Sequence, residues 1–169
     1  MTTIRDVDGS ADIADVRTLF LEYARSLQVD LAFQSFDAEL ASLPGDYTRP
    51  DGVLLLATID DRVVGCVAVH RWDGDTCEMK RLYVRDDARG HGLGRALAEA
   101  AVRFARDAGY RALRLDTLPG MTTARALYRQ MGFRDVAPYR YNPVAGTSFM
   151  ELMLRPLISE SDRASSACE

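Results

Sequence analysis

Apolar residues recur at steps of three and four in some stretches of this chain and of two in others, and the switches mark its elements. Thr2 to Val7 places Ile4 and Val7 among polar neighbours and reads as a short strand. Asp8-Gly9-Ser10 supplies a turn with capping residues. From Ala11 to Leu27, the positions Ile13, Val16, Leu19, Phe20, Tyr23, Ala24 and Leu27 form one stripe of an amphipathic helix. A shorter helix lies within Leu31 to Leu43, starting near Ser35, and Pro44-Gly45 ends it. Leu43 to Gly52, with two prolines and two glycines, is loop.

At Val53 the period changes. Val53 to Ile59 is a continuous apolar strand, Asp60-Asp61 a tight turn, and Val63 to His70 the return strand of a hairpin. A second turn at Trp72 to Asp75 leads into a third strand, Thr76 to Val84. Leu93 to Ala108 carries the clearest helical stripe, made by Leu93, Leu97, Ala100, Ala101, Phe104 and Ala108, and Gly109 closes it. Tyr110 to Thr117 is a strand in which Leu113 and Leu115 alternate with Arg111, Arg114 and Asp116; Pro119-Gly120 breaks it. A short helix, Thr122 to Met131, ends at Gly132. Phe133 to Val136 starts a strand, a loop of polar and aromatic residues covers Pro138 to Gly146, and Thr147 to Leu154 is the last strand. The order β, α, α, β, β, β, α, β, α, β, β describes an α/β chain with a mixed sheet covered by helices. Residues 1–158 read as one domain, and the Ser- and charge-rich 159–169 as a disordered tail.

Composition narrows the function classes. With 47% apolar and 27% charged residues the chain can bury a real core. A net charge of −4 and no basic tract argue against nucleic acid as a partner. No apolar run reaches membrane-spanning length and no signal-peptide core is seen, so no membrane partner is expected. Three cysteines, Cys66, Cys77 and Cys168, form no C-x-x-C pair and fit free thiols in a reducing, cytoplasmic setting. His70 and His91 stand far apart with no metal-ligand spacing, so no metal site is expected.

The chemistry gathers between Glu78 and Leu97. A strand-like run ends at Val84, a charged turn follows to Arg89, and Gly90, Gly92 and Gly94 precede the strongest helix. Glycine lets a ligand approach the backbone closely. The first N–H groups of a helix have no internal partner and favour negative charge, so this junction suits a phosphate. Arg89 and Arg95 would add charge-assisted contacts. A P-loop needs Lys then Ser or Thr after its last glycine, but Arg95 and Ala96 follow Gly94. A dinucleotide fingerprint needs a third glycine where Arg95 or Leu97 stands. By itself the stretch is also readable, with less weight, as a plain glycine-rich turn.

The spacing R-x-x-G-x-G of Arg89, Gly92 and Gly94 resembles the pyrophosphate signature of the GNAT superfamily of N-acetyltransferases. A second stretch, Ala126-Leu127-Tyr128-Arg129-Gln130-Met131-Gly132-Phe133, resembles that family's later motif, whose helix presents a tyrosine toward the thioester. Taken alone, Tyr128 is more readily a core aromatic on a helix face. The resemblance spans about residues 3 to 155 and implies an acyl-CoA N-acyltransferase fold, a central mostly antiparallel sheet flanked by helices. It implies acetyl-CoA as co-substrate, held by Leu82, Tyr83 and Val84 on the splayed strand and by Arg89, Gly90, His91, Gly92, Leu93, Gly94 and Arg95 at the glycine junction. The family often has an Asn shortly before the tyrosine; here stand Met121, Thr122 and Thr123, and a Thr hydroxyl would replace it. It also suggests a homodimer.

Acetyl transfer needs a deprotonated amine, a donor for the oxyanion and a proton for the leaving thiolate. Glu78, at the start of the strand feeding the junction, is the candidate base, its pKa raised toward neutrality by partial burial. Pairing with Lys80 or Arg81, or holding substrate, is the equal alternative. Alternation would put Glu78, Lys80, Leu82 and Val84 on one face and Met79, Arg81 and Tyr83 on the other. Tyr128 is the candidate acid, and a backbone N–H near Val84 the oxyanion donor the family implies. The acceptor is expected between the first two helices and the Pro138 to Gly146 loop, with Phe33, Phe36, Tyr139 and Asn142 as candidate contacts beside Tyr23, Tyr141, Asp30, Asp37 and Glu151. The reading is transfer to a primary amine of a small molecule in a ternary complex. Acetylation of a protein or peptide amine, or acyl-CoA binding without catalysis, are the alternatives.

Overall fold

The computed structural model of the chain describes residues 1–32 and 35–154. Phe33 and the expected tail at 159–169 lie outside the described residues. The elements are β1 (Thr2–Asp6), α1 (Gly9–Leu27), α2 (Phe36–Ser42), β2 (Val53–Ile59), β3 (Arg62–Asp73), β4 (Thr76–Val84), α3 (Leu93–Asp107), β5 (Ala112–Thr117), α4 (Thr122–Gln130), β6 (Arg134–Val136) and β7 (Ser148–Met153). Their order is the one the periodicity gives. Several boundaries move by one to three residues, and two of these shifts have a local cause. Helix α1 starts at Gly9 because Asp12, in its first turn, accepts the Asp8 N–H at 2.7 Å and fixes the entry. Strand β3 runs to Asp73, which pairs with Thr76, so Gly74, with φ +52°, and Asp75 turn the chain alone.

The seven strands lie in the order β1-β2-β3-β4-β5-β7-β6. Every neighbouring pair is antiparallel except β4 with β5, which α3 joins as a crossover. Helix α3 packs on one sheet face, where Leu97, Ala101 and Phe104 bury against Leu55, Val67, Val69 and Leu113. Helix α1 covers the other, with Val16, Leu19 and Phe20 against Leu54, Leu56, Cys66 and Ala68. Strand β2 is apolar at both faces because both are covered. Each such side chain contributes about 1.5–3 kcal/mol of burial. No described helix is long and apolar enough to cross a membrane.

Strand β4 departs from simple alternation. Against β3, Cys66 lies opposite Tyr83 and Ala68 opposite Lys80, so β4 carries one extra residue between those pairs. The bulge falls at Arg81, whose φ of +60° is in the left-handed region that L residues avoid. Leu82 and Val84 therefore join Met79 and Cys77 toward α3, while Glu78, Lys80, Arg81 and Tyr83 turn toward α1 and α2. The expected grouping of Leu82 and Val84 with Glu78 is thus corrected. Ahead of the bulge β4 already leaves β5: only Thr76, Cys77 and Glu78 pair with Ala112, Leu113 and Arg114.

Candidate functional site

The divergence of β4 from β5 opens a groove of about 770 Å³ across the sheet. Leu82, Tyr83 and Val84 form one wall, and Arg89, Gly90, Gly92, Leu93, Gly94 and Arg95 the end at α3. Gly120, Met121, Thr122, Thr123, Ala124 and Leu127 close the side at α4, and Tyr23, Ser26 and Leu27 come from α1. His91 is exposed beside this wall but does not line it. Two helix N-termini, capped at Gly92 and Met121 without side-chain hydrogen bonds, meet this one space. Their unpartnered N–H groups and positive dipole ends favour an anion.

The glycines fit a phosphate-bearing ligand for separate reasons. Gly90 and Gly92 have φ of +86° and +72°, a turn that L side chains resist. Gly94 has no such strain, and a Cβ there would meet no protein atom within 4 Å. The fold gives no reason for glycine at 94, whereas close approach of a pyrophosphate to the first turn of α3 does. Arg89 is exposed but anchored: its Nε donates to the Val84 carbonyl at 3.0 Å and it pairs with Asp86 at 2.8 Å. It stiffens the turn as well as lining the groove. Arg95 donates to the Gln130 side chain at 2.6 Å, tying α3 to α4.

At its inner end the groove continues into a slot of about 30 Å³ lined by Tyr23, Met79, Lys80, Arg81, Leu82, Leu115, Asp116, Met121 and Tyr128. Tyr128 is 4% exposed and packs on Phe133, yet it lines the slot, so the core and site readings of this residue both hold. No described residue hydrogen-bonds its hydroxyl. Burial, then Tyr23 and Asp116 nearby, push its pKa up, so it stays protonated at neutral pH. Arg81 is held in its left-handed conformation by Glu39, at 2.9 and 3.3 Å, and lies over the rings of Phe36 and Tyr23. Phe36 is therefore a platform for Arg81 and lines neither groove nor slot.

Glu78 sits beside the slot and is fully buried. His70 Nε2 lies 2.9 Å from Oε1, Tyr139 donates to Oε2 at 2.8 Å, and Arg140 donates to Oε1. Burial pushes the Glu78 pKa up, but the His70 hydrogen bond and the charges of Arg140 and Lys80 outweigh it, and the net direction is down. The expected rise toward neutrality is thereby corrected: partners, not burial, decide this carboxyl. Tyr139 and Arg140 stack with Trp72, and Tyr139 with Phe149, so the loop after β6 is strapped onto the sheet. Asn142 donates to Asp116 at 3.3 Å, and Tyr141 is exposed.

The sequence reading missed Asp116 and Lys80 as slot residues, and His70 and Arg140 as partners of Glu78. Asp116 carried one signal: it lies at the C-terminal end of the strand that follows a crossover helix, where open sheets place ligands. Cys66 and Cys77 are buried in the sheet; burial pushes the Cys77 thiol up to about 12 and that of Cys66 higher, which suits core residues and not nucleophiles.

Comparison with known proteins agrees with this geometry. The sequence matches the Acetyltransferase (GNAT) family over residues 14–133. It is 39% identical over 143 residues to an N-acetyltransferase of Schizosaccharomyces pombe, covering 83% of this chain and 88% of that one. The fold is similar to a GNAT-family acetyltransferase of Staphylococcus aureus Mu50, with TM-score 0.76 and 17% identity over 92% of this chain and 100% of that chain. It is also similar to an N-acetyltransferase of Thermoplasma acidophilum in complex with coenzyme A, with TM-score 0.68, 17% identity and 92% and 99% of the two chains covered. This chain belongs to the acetyltransferase (GNAT) family and is an N-acetyltransferase that uses acetyl-CoA.

Proposed function

We propose that the acceptor is a primary amine of a small molecule and that transfer is direct, with both substrates bound at once. The observation that carries this reading is the meeting of a long groove with a narrow slot. The groove has the volume and the two helix N-termini to take a large anion such as CoA, and the slot beyond it is too tight for a folded partner. Acetyl-CoA supplies an acyl thioester whose thiol, with pKa about 8.5, is a tolerable leaving group. Leu82, Tyr83 and Val84 offer backbone that no strand pairs on the β5 side, to bind and orient the donor. Tyr128 keeps a proton at its hydroxyl, ready for a departing thiolate.

Glu78 is better read as a brace than as a base. A carboxylate held ionised by His70 and Arg140, already accepting hydrogen bonds at both oxygens, has little remaining basicity. Among relatives, an N-acetylaspartate synthetase of Rattus norvegicus, 33% identical over 122 residues, has a small-molecule product by name. A protein acceptor is the second reading, since a ribosomal-protein-S18-alanine N-acetyltransferase of Escherichia coli shares the fold at TM-score 0.70. The test is thiol release from acetyl-CoA with a panel of small amines against a panel of peptides. Turnover with small amines supports the reading; turnover with peptides alone contradicts it.

A further inference from the structure

We infer that the slot between β4 and β5 is built for a zwitterion, and that the acceptor is a free amino acid whose ammonium meets Asp116 and whose carboxylate meets Lys80. This rests on the small-amine reading and narrows it.

The argument starts from register. Thr76, Cys77 and Glu78 of β4 lie opposite Ala112, Leu113 and Arg114 of β5. Had the pairing run two residues further, Lys80 would stand opposite Asp116, and neighbouring side chains of opposite charge would pair. The strands part just there. Lys80 forms its ion pair with Glu39, at 3.8 Å, and Asp116 has no ion pair among the described residues. The divergence thus holds a cation and an anion apart on the two walls of one narrow slot.

Both charges lack full compensation. Glu39 is the only carboxylate paired with Lys80 among the described residues, and it already takes two bonds from Arg81 and one from the Tyr47 hydroxyl at 2.6 Å. The carboxylates that act on Lys80 are Glu78 and Glu39, and they are shared with Arg140 and Arg81, so among the described residues three cations face two carboxylates on this wall. Opposite, Asp116 is touched by one neutral amide, that of Asn142 at 3.3 Å. Tyr23 and Tyr128 flank the space between and give it polar hydroxyls on apolar rings. Lys80 is nine-tenths buried as a side chain, and burial lowers its pKa to about 8. A buried ammonium so poorly compensated gains from an incoming carboxylate.

A molecule carrying an ammonium and a carboxylate a few bonds apart completes both walls at once. Asp116 then holds the nitrogen next to Tyr128, in the slot that shares Tyr23, Leu82 and Met121 with the donor groove. The ammonium gives up one proton to Asp116 and from there to water. The C–N bond forms as the C–S bond breaks, and the thiolate takes its proton from Tyr128. The second proton of the new amide nitrogen passes to the Tyr128 phenolate, which restores its hydroxyl.

The experiment compares each common L-amino acid with its α-amide by thiol release, in wild type, Lys80→Met and Asp116→Asn. Melting temperatures are read with CoA and each acceptor present. The inference expects at least one amino acid to be favoured over its amide by about tenfold or more in kcat/KM, the weight of a charge-assisted bond. That ratio should fall toward one in K80M, and the extra melting shift given by the amino acid should vanish in both variants. If amides and simple amines serve as well as the acids, or the ratio survives in K80M, the zwitterion slot is wrong while the small-amine reading stands. If peptides alone are acetylated, both fall.

Discussion

Tyr139 donates its hydroxyl to Glu78 at 2.8 Å, and that bond ties the loop after β6 to the strand that feeds the groove. The same carboxylate takes Arg140 and His70, so its charge is the hub of the strap. E78Q should destabilise the protein by about 3 kcal/mol or more in urea unfolding, because Arg140 loses the one carboxylate it pairs with among the described residues. Its pH signature follows from the direction of the shift. The folded pKa lies below the ordinary value of about 4.3, so the stabilisation is present above that pH and is lost as pH falls through the folded value. Melting temperature should therefore drop more steeply on the acid side in wild type than in E78Q. Turnover per folded molecule should fall by about tenfold or less; a loss of about 10² or more would restore Glu78 as a base.

Gly94 separates fold from ligand. A Cβ there meets nothing and no strain forbids it, so Gly94→Ala should leave stability unchanged or raise it by about 0.5–1 kcal/mol, as expected within a helix. Acetyl-CoA affinity should nevertheless fall several-fold, measured by calorimetry. Unchanged affinity would mean that the donor does not approach the first turn of α3.

Arg81 carries strain and a clamp in one residue. At φ +60°, Arg81→Gly should be more stable than Arg81→Ala by about 1 kcal/mol, the cost of the left-handed region for a residue with Cβ. Both should be less stable than wild type, since each takes from Glu39 the cation at 2.9 Å and leaves it Lys80 at 3.8 Å. Chemical denaturation of the three proteins reads both differences.

Tyr128→Phe keeps the ring packed against Phe133 and removes the hydroxyl that no described residue holds. Turnover should fall by about 10² or more, with acetyl-CoA affinity and melting temperature nearly unchanged. A protein that binds acyl-CoA without catalysis has no turnover for this change to affect.

Much of the fold was legible because period and punctuation agree along the chain. Val16, Leu19 and Phe20 fall at helical steps and are all buried, and Gly109 and Gly132 end helices at positive φ. The donor site was legible through Arg89, Gly92 and Gly94, a local motif whose chemistry is made by backbone. The acceptor end was not. It depends on a bulge at Arg81, which no pattern announces because its left-handed backbone is held by a tertiary partner, Glu39, 42 residues away. It depends also on which residues face each other after two strands part, so Lys80 and Asp116 become a pair only in three dimensions. The direction of the Glu78 shift was hidden for the same reason: it is set by His70, opposite Glu78 on β3, and by Arg140, 62 residues along the chain.

The central claim is that the groove at β4, α3 and α4 holds acetyl-CoA. Thermal unfolding of the wild-type protein with acetyl-CoA, beside ATP and NADH at the same concentration, tests it most directly. A ligand present at about 100 times its Kd stabilises the native state by about 2.7 kcal/mol. For a domain of this size that is a rise of roughly 5–10 °C. The account expects that rise with acetyl-CoA and little with ATP or NADH. No rise with acetyl-CoA from a folded protein would contradict it.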